Sequence, residues 1–215
     1  PDDVKKTLEQ VEGLETLNIY INSPGGSVFA GLAIYNMLSR NTAKKIVHID
    51  GVAASMASVI ALVGDEIYMP SNAFMMIHKP WTFAIGNADD LRKTADDLDS
   101  IEEGLMKVYE ENLREGVDIE EVKEMVSDET WLTADEASKY FNVEVISAKQ
   151  VAASAKHLLS KYKNVPKELL KEDESDVERI VANAKKEAYE RRWENKTDKE
   201  LEKIKLQNEL DLLSL

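Results

Sequence analysis

The chain has 215 residues, and its 27 Lys and Arg against 41 Asp and Glu give a formal net charge of −14. This acidity argues against nucleic acid as the main partner, and no apolar run approaches the ~20 residues of a membrane span. Cysteine is absent, so disulfides, thiolate catalysis and cysteine-ligated metals are excluded, and three histidines leave little for a histidine metal site.

The charge is distributed unevenly along the chain. Residues 1–150 carry 13 basic and 27 acidic side chains, whereas residues 151–215 carry 14 of each. Such a step in composition predicts two segments with different roles. We place their limits at residues 1–146 and 147–215. The chain opens at Pro1 with a helical pattern where a strand would be expected, so we expect the first segment to lack its N-terminal strand.

The first segment alternates strand and helix patterns. Short β-branched runs predict strands at residues 17–21, 45–50, 66–69 and 73–77. Apolar residues at helical spacing predict one helix after Gly26 and a longer one over residues 89–114. Asn87 is a good N-cap for the long helix, and Gly116 is a good C-cap. This alternation indicates an α/β domain with a largely parallel sheet.

The second segment has a helical pattern without enough apolar residues for a core of its own. Capping boxes at Ser175–Glu178 and Thr197–Glu200 each open a predicted helix. The extension is therefore expected to dock, to coil with a partner, or to be a solvated surface helix.

An Asn-Ser-Pro-Gly-Gly-Ser segment at residues 22–27 directly follows a predicted strand and opens a helix. Paired glycines there let the backbone approach a ligand closely, at the positive end of the helix dipole. The segment predicts an anion or oxyanion site, although by itself a Pro-Gly-Gly sequence is most often only a turn. It lacks the lysine and hydroxyl of a phosphate-binding loop.

The run of small residues at 51–58 also follows a predicted strand. A tight turn between this strand and the next helix would project Ser55, as a nucleophile elbow does. The competing interpretation is a small-residue helix that serves only for packing.

His78 ends a predicted strand in the sequence Met-Met-Ile-His-Lys-Pro. A histidine there can act as a general base for a nearby hydroxyl, although a lone strand-end histidine is usually structural. His48 and His157 have no comparable neighbours.

Together, the Gly-Gly, Ser-Met and His-Lys-Pro motifs resemble the proteolytic subunit of the Clp protease family, over about residues 14–146. The resemblance implies a ClpP/crotonase-like spiral of ββα units with a protruding handle helix, followed here by a helical C-terminal extension. It implies a serine endopeptidase with Ser55 as nucleophile and His78 as base. The amides of Gly26 and Met56 would form the oxyanion hole, and this mechanism would require no metal and no organic cofactor.

The third member of the triad is less clearly marked. The family's acid stands two residues before an aromatic residue, which here is Trp131. Counting back gives Glu129, and Asp128 beside it is the alternative. A glutamate can hold the imidazole in the required tautomer as an aspartate does.

The resemblance also implies substrate and partners. A polypeptide substrate would contact Gly25, Ser27, Ala84, Ile85 and Gly86. The subunits would form a heptameric ring or a double ring that interlocks through the handle helix, fed by a Clp-type ATPase in the bacterial cytoplasm. The predicted handle region is acidic, with 15 acidic and 5 basic residues over 86–128, which makes ring pairing sensitive to salt or pH.

The charged extension resembles that of Clp-like head maturation proteases encoded by phages and prophages. In that branch the partners would be capsid or scaffold proteins, and no ATPase is implied.

Three other functions stay open at this point. One is a catalytically inactive, ring-forming or scaffold paralogue that has lost its acid. Another is a crotonase-like acyl-CoA enzyme, which would use the oxyanion hole without Ser55 and His78. The third is a relative of the serine-lysine signal peptide peptidases that would use Lys79.

Overall fold

The computed structural model describes residues 1–147, 162–166 and 169. The chain divides into two compact units, Pro1–Leu169 and Leu170–Leu215. The first unit thus continues past residue 146, and the proposed division at that point stays a prediction. Both capping boxes of the extension lie outside the described residues.

The described part of the first unit alternates helices and strands. Its helices are α1 (Asp2–Gln10), α2 (Val28–Arg40), α3 (Met56–Ala61), α4 (Ala88–Glu111), α5 (Ile119–Ser127) and α6 (Ala134–Tyr140). Its strands are β1 (Thr16–Ser23), β2 (Lys44–Ala54), β3 (Glu66–Pro70), β4 (Phe74–Ile77), β5 (Thr130–Thr133) and β6 (Val143–Ile146).

The strands form one six-stranded sheet organised around β2. One edge of β2 pairs with β1, whereas its other edge pairs first with β3 and then, nearer its carboxyl end, with β4. These pairings and that of β3 with β6 are parallel, and only the pairing of β4 with β5 is antiparallel. The predicted α/β class with a largely parallel sheet is confirmed. Because two strands share one edge of β2, the sheet curls along it.

The burial pattern of β2 fits its central position in the sheet. Its first half alternates between buried and half-buried residues, whereas its last four residues are all buried. A continuous apolar run is typical of a strand that is covered on both faces. Ser55 follows this run directly and therefore lies next to the buried end of β2.

The long helix α4 begins as predicted and ends earlier than predicted. Asn87 accepts hydrogen bonds from the amides of Asp89 and Asp90, and the Asp90 carboxylate accepts from the amide of Asn87, which completes a capping box. The helix ends at Glu111 with Asn112 as its C-cap, so the prediction of a helix reaching Gly116 is wrong. Gly116, at φ +86°, instead turns the chain toward α5.

The buried side chains form two clusters. The larger one packs between the sheet and helices α3, α4, α5 and α6 and includes Val47, Ile49, Met75, Ile77 and Phe141. The smaller one contains Val52, Ala54, Met76, Tyr162 and Leu169. Since residues of a strand alternate between faces, the alternation of Met75 and Met76 puts the two clusters on opposite faces of β4. No helix in the described part of the chain is long and apolar enough to cross a membrane.

Candidate active site

Ser55 occupies a sharp turn between β2 and α3. Its backbone has φ +57° and ψ −128°, a combination that non-glycine residues rarely adopt. Such a conformation costs about 1–3 kcal/mol and persists only where neighbouring structure enforces it. Here the Ser55 amide donates to the carbonyl of Met76 at 2.9 Å. The strained strand-to-helix turn has the geometry of a nucleophile elbow.

His78 lies directly beside Ser55, because the pairing of β2 with β4 brings the two strand ends together. Ala54 is paired with Met76, so Ser55 and His78 follow the ends of neighbouring strands. The distance from Ser55 Oγ to His78 Nε2 is 2.8 Å, which is hydrogen-bonding distance. Lys79 points elsewhere, with its Nζ 3.0 Å from the carboxylate of Glu102 on α4.

The Gly25–Gly26 turn packs against the same elbow. Gly25 has φ +79°, and a Cβ added there would lie 2.5 Å from the carbonyl oxygen of Ala54 and 2.9 Å from the amide nitrogen of Met56. Only glycine combines this backbone angle with such a close approach. The turn is tied to β2 through Asn22, whose side-chain oxygen accepts a hydrogen bond from the amide of Val52 at 3.2 Å.

The two candidate acids have different surroundings. Asp128 is the exposed C-cap of α5, whereas Glu129 is half-buried and has φ +53°. Glu129 Oε1 accepts hydrogen bonds from the amides of Lys163 at 2.6 Å and of Asn164 at 2.9 Å. Both acids line a cleft of about 650 Å³ together with His78. Burial therefore favours Glu129, and the cleft brings it to the same side of the molecule as the imidazole.

The remaining predicted site residues lie at the starts of α2 and α3 and in the segment before α4. Ser27 caps α2 by accepting from the amide of Ala30, and the Gly25–Gly26 turn and Met56 line a cavity of about 190 Å³ next to it. Residues 84–86 lie in an exposed segment between β4 and α4 that has no strand pairing within the single chain.

A buried pair of hydroxyls, those of Ser58 and Tyr109, lies behind Ser55 and was missed by sequence reasoning. Ser58 Oγ donates to the carbonyl of Ser55 at 2.6 Å and lies 3.0 Å from the Tyr109 hydroxyl on α4. Because Ser58 donates its hydroxyl proton to the Ser55 carbonyl, the Tyr109 hydroxyl donates to Ser58 Oγ. Burial raises the pKa of Tyr109 to about 12. The spacing of Ser55 and Ser58 by one helical turn was the only signal of this link in the sequence.

Residues 162–164 also lie at the candidate site, although sequence reasoning assigned them to the extension. Tyr162 is buried, its hydroxyl donates to the carbonyl of Pro24, and its ring meets the His78 ring edge-on with centroids 5.3 Å apart. The next two residues bind Glu129 through their amides, as described above. No sequence pattern marked these residues, because the residues that they contact lie far away along the chain. Pro24 is 138 positions from Tyr162, and Glu129 is 34 positions from Lys163.

Comparison with known proteins matches residues 6–150 to the Clp protease family. The chain is 32% identical over 145 residues to the ATP-dependent Clp protease proteolytic subunit of Bacteroides fragilis, which covers 66% of this chain and 69% of that protein. It is 32% identical over 145 residues to the subunit of the same name from Bacteroides thetaiotaomicron, covering 66% and 65% of the two chains. It is 31% identical over 142 residues to ATP-dependent Clp protease proteolytic subunit 1 of Salinibacter ruber, covering 65% and 60%. The chain thus spans less than two thirds of the length of the last two relatives.

Proposed function

This chain belongs to the Clp protease family, and we propose that it is a serine endopeptidase with Ser55 as its nucleophile. The observation that carries the proposal is the 2.8 Å distance between Ser55 Oγ and His78 Nε2 at a strained strand-to-helix turn. A hydroxyl next to a base at hydrogen-bonding distance is the arrangement that activates a serine for acyl transfer.

The reaction proceeds in two acyl-transfer steps. His78 Nε2 takes the proton of the Ser55 hydroxyl as the oxygen attacks the peptide carbonyl, and it then gives that proton to the leaving amine. Water attacks the acyl-enzyme with the same base, which releases the second product and restores Ser55. The lysine alternative has less support, because Lys79 is paired with Glu102.

The amides of Gly26 and Met56 stabilise the oxyanion that forms in each step. The close packing of the Gly25–Gly26 turn on the Met56 amide supports this role. Loss of one such donor typically lowers the rate by about 10²–10³-fold. Glu129 is the proposed acid: both it and Asp128 line the cleft that contains His78, but Glu129 is half-buried whereas Asp128 is exposed.

We further propose that the chain works as a ring-forming assembly. Trp81, Phe83 and Ile85 are 52%, 91% and 104% exposed in the single chain. Adjacent large apolar side chains with such exposure mark an interaction surface, and they precede α4, the proposed handle. The same segment, at Ala84–Gly86, would bind the polypeptide substrate. Family membership supports the further proposal of a heptameric ring or double ring in the bacterial cytoplasm, fed by a Clp-type ATPase.

Phage capsid or scaffold proteins are the alternative partners. The resemblance of the charged extension and of the Glu-Thr-Trp sequence at 129–131 to head maturation proteases supports this branch. Apart from residues 147, 162–166 and 169, the extension lies outside the described residues, so its proposed link to phage proteins rests on the sequence.

The test is labelling of the purified protein with a fluorophosphonate, followed by mass-spectrometric mapping of the modified residue. We expect labelling at Ser55 that is lost in Ser55→Ala and in His78→Ala, while peptide hydrolysis disappears in both. Ser100→Ala, which removes an exposed hydroxyl on α4, is the matched control and should label as the wild type does. Peptide hydrolysis retained in Ser55→Ala would refute the proposal.

A further inference from the structure

Residues 162–166, which we call the strap, lie against the candidate active site although the family match ends at residue 150. Tyr162 is 7% exposed and packs with Val52, Ala54, Met76 and Leu169. Val52, Ala54 and Met76 come from the carboxyl ends of β2 and β4, the two strands that lead directly to Ser55 and His78. The strap is therefore anchored at the point where the nucleophile and base meet.

Tyr162 contacts two parts of the proposed machinery at once. Its hydroxyl donates to the carbonyl of Pro24, which belongs to the peptide group that enters the Gly25–Gly26 turn. Its ring meets the His78 ring at an interplanar angle of 89° and the Trp131 ring at 72°, with centroids 5.3 and 6.0 Å apart. Edge-to-face contacts of this kind restrict how a ring can tilt. One buried side chain thus limits the motion of the oxyanion turn and of the base.

The next two residues of the strap hold the proposed acid. The amides of Lys163 and Asn164 both donate to Glu129 Oε1. The side-chain amide of Asn164 donates to the carbonyls of Asp128 at 3.1 Å and Glu129 at 3.2 Å. Glu129 has a left-handed backbone, at φ +53°, which an L-residue keeps only with outside support. These four hydrogen bonds supply that support, and the two to Oε1 also orient the carboxylate.

We infer that the strap is a positioning element of the active site. It acts on the oxyanion turn and His78 through Tyr162, and on Glu129 through Asn164 and the neighbouring amide. The inference rests on the proposed function, since it names what positions the residues of that same site. It implies that residues 6–150, the part shared with the family, are insufficient for full activity in this chain.

The first test compares Tyr162→Phe with the wild type in the full-length protein. The variant keeps the ring contacts and loses the hydrogen bond to Pro24, so we expect kcat, and the rate of fluorophosphonate labelling at Ser55, to fall by about three- to tenfold. KM for a model peptide should stay within about twofold, because the substrate-contacting groups are retained. Tyr20→Phe, which removes an exposed hydroxyl from the ring stacked on His48, is the matched control.

A purely structural role for Tyr162 predicts a different result. The midpoint of thermal unfolding would fall, while kcat of the folded protein would stay equal to that of Tyr20→Phe. That outcome would overturn the role assigned to Tyr162. A wild-type protein that neither labels at Ser55 nor cleaves peptides would overturn the proposed function and this inference together.

The second test asks whether Asn164 acts through Glu129. Asn164→Ala should lower kcat severalfold in the wild-type background and by less than about twofold in the Glu129→Gln background, because residues that act as a unit are not additive. Equal losses in the two backgrounds would show that Asn164 stabilises the fold without orienting the acid. Equal losses would therefore refute the part of the inference in which the strap positions Glu129.

Discussion

Replacement of Gly25 by alanine tests whether the Gly25–Gly26 turn packs so closely on the turn at Ser55 that no side chain fits between them. The new Cβ would lie 2.5 Å from the carbonyl oxygen of Ala54, 2.8 Å from Ser55 Cβ and 2.9 Å from the amide nitrogen of Met56. To reach an ordinary separation of about 3.4 Å from the first of these atoms, the turn must move by about 0.9 Å.

Two separate losses follow from this displacement. An alanine at φ +79° costs about 1–2 kcal/mol, and the overlap adds about 1–3 kcal/mol, so the free energy of unfolding should fall by roughly 2–5 kcal/mol. A shift of about 1 Å in groups that bind the oxyanion lowers kcat/KM by about 10²–10³-fold. The activity loss is therefore expected in the folded protein, beyond any loss of folded material.

Peptide hydrolysis and fluorophosphonate labelling measure the activity, and denaturant unfolding measures the stability. Gly26→Ala is the informative comparison, because a Cβ at the next residue meets nothing within 4 Å. Gly104→Ala, on α4 and equally unobstructed, controls for the change of residue type. If Gly25→Ala and Gly26→Ala lowered kcat/KM equally, the steric argument, and with it the proposed packing of the turn on the Met56 amide, would be refuted.

Two further predictions concern the acid and the buried tyrosine. Glu129→Gln should lower kcat/KM by at least about 10²-fold, and far more than Asp128→Asn, because a neutral amide does not stabilise the imidazolium; the opposite ranking in steady-state kinetics would assign the acid to Asp128. Burial raises the pKa of Tyr109 to about 12, above the ordinary value of about 10 in the unfolded chain. The stability contributed by its neutral phenol is therefore complete below about pH 10 and is lost as the pH rises through about 12. The unfolding free energy of Tyr109→Phe, measured by urea titration across this range, should fall less steeply than that of the wild type, and parallel curves would contradict the assignment.

Local signals were sufficient for much of the fold. The strands at β1 to β4 were predicted from β-branched runs, and the start of α4 from Asn87, because alternation and capping are encoded within a few residues. The end of α4 was predicted wrongly. Gly116 is a good C-cap in sequence terms, but the helix stops at Glu111 with Asn112 as its C-cap. The four-residue strands β5 and β6 were missed as well, because each is defined by its pairing with a distant strand.

The candidate site divides in the same way. Ser55, His78 and the Gly25–Gly26 turn were singled out from the sequence by short motifs at the ends of predicted strands and by the family resemblance. In the structure, the parallel pairing of β2 with β4 brings the ends of those two strands together. Which acid is half-buried depended on the packing around the end of α5, which neighbouring residues in the sequence do not determine.

The sequence by itself determined the α/β class and the family resemblance, and it singled out the candidate nucleophile, base and glycine turn, since these depend on periodicity and on short motifs. Only the tertiary structure decided that Ser58 and Tyr109 lie behind the nucleophile and that the strap packs on His78 and Glu129. Tyr162 and Pro24 are 138 residues apart, and contacts at such separations form only after the sheet has brought the strand ends together. They arise from the burial of apolar side chains from distant segments, and no local pattern encodes that burial.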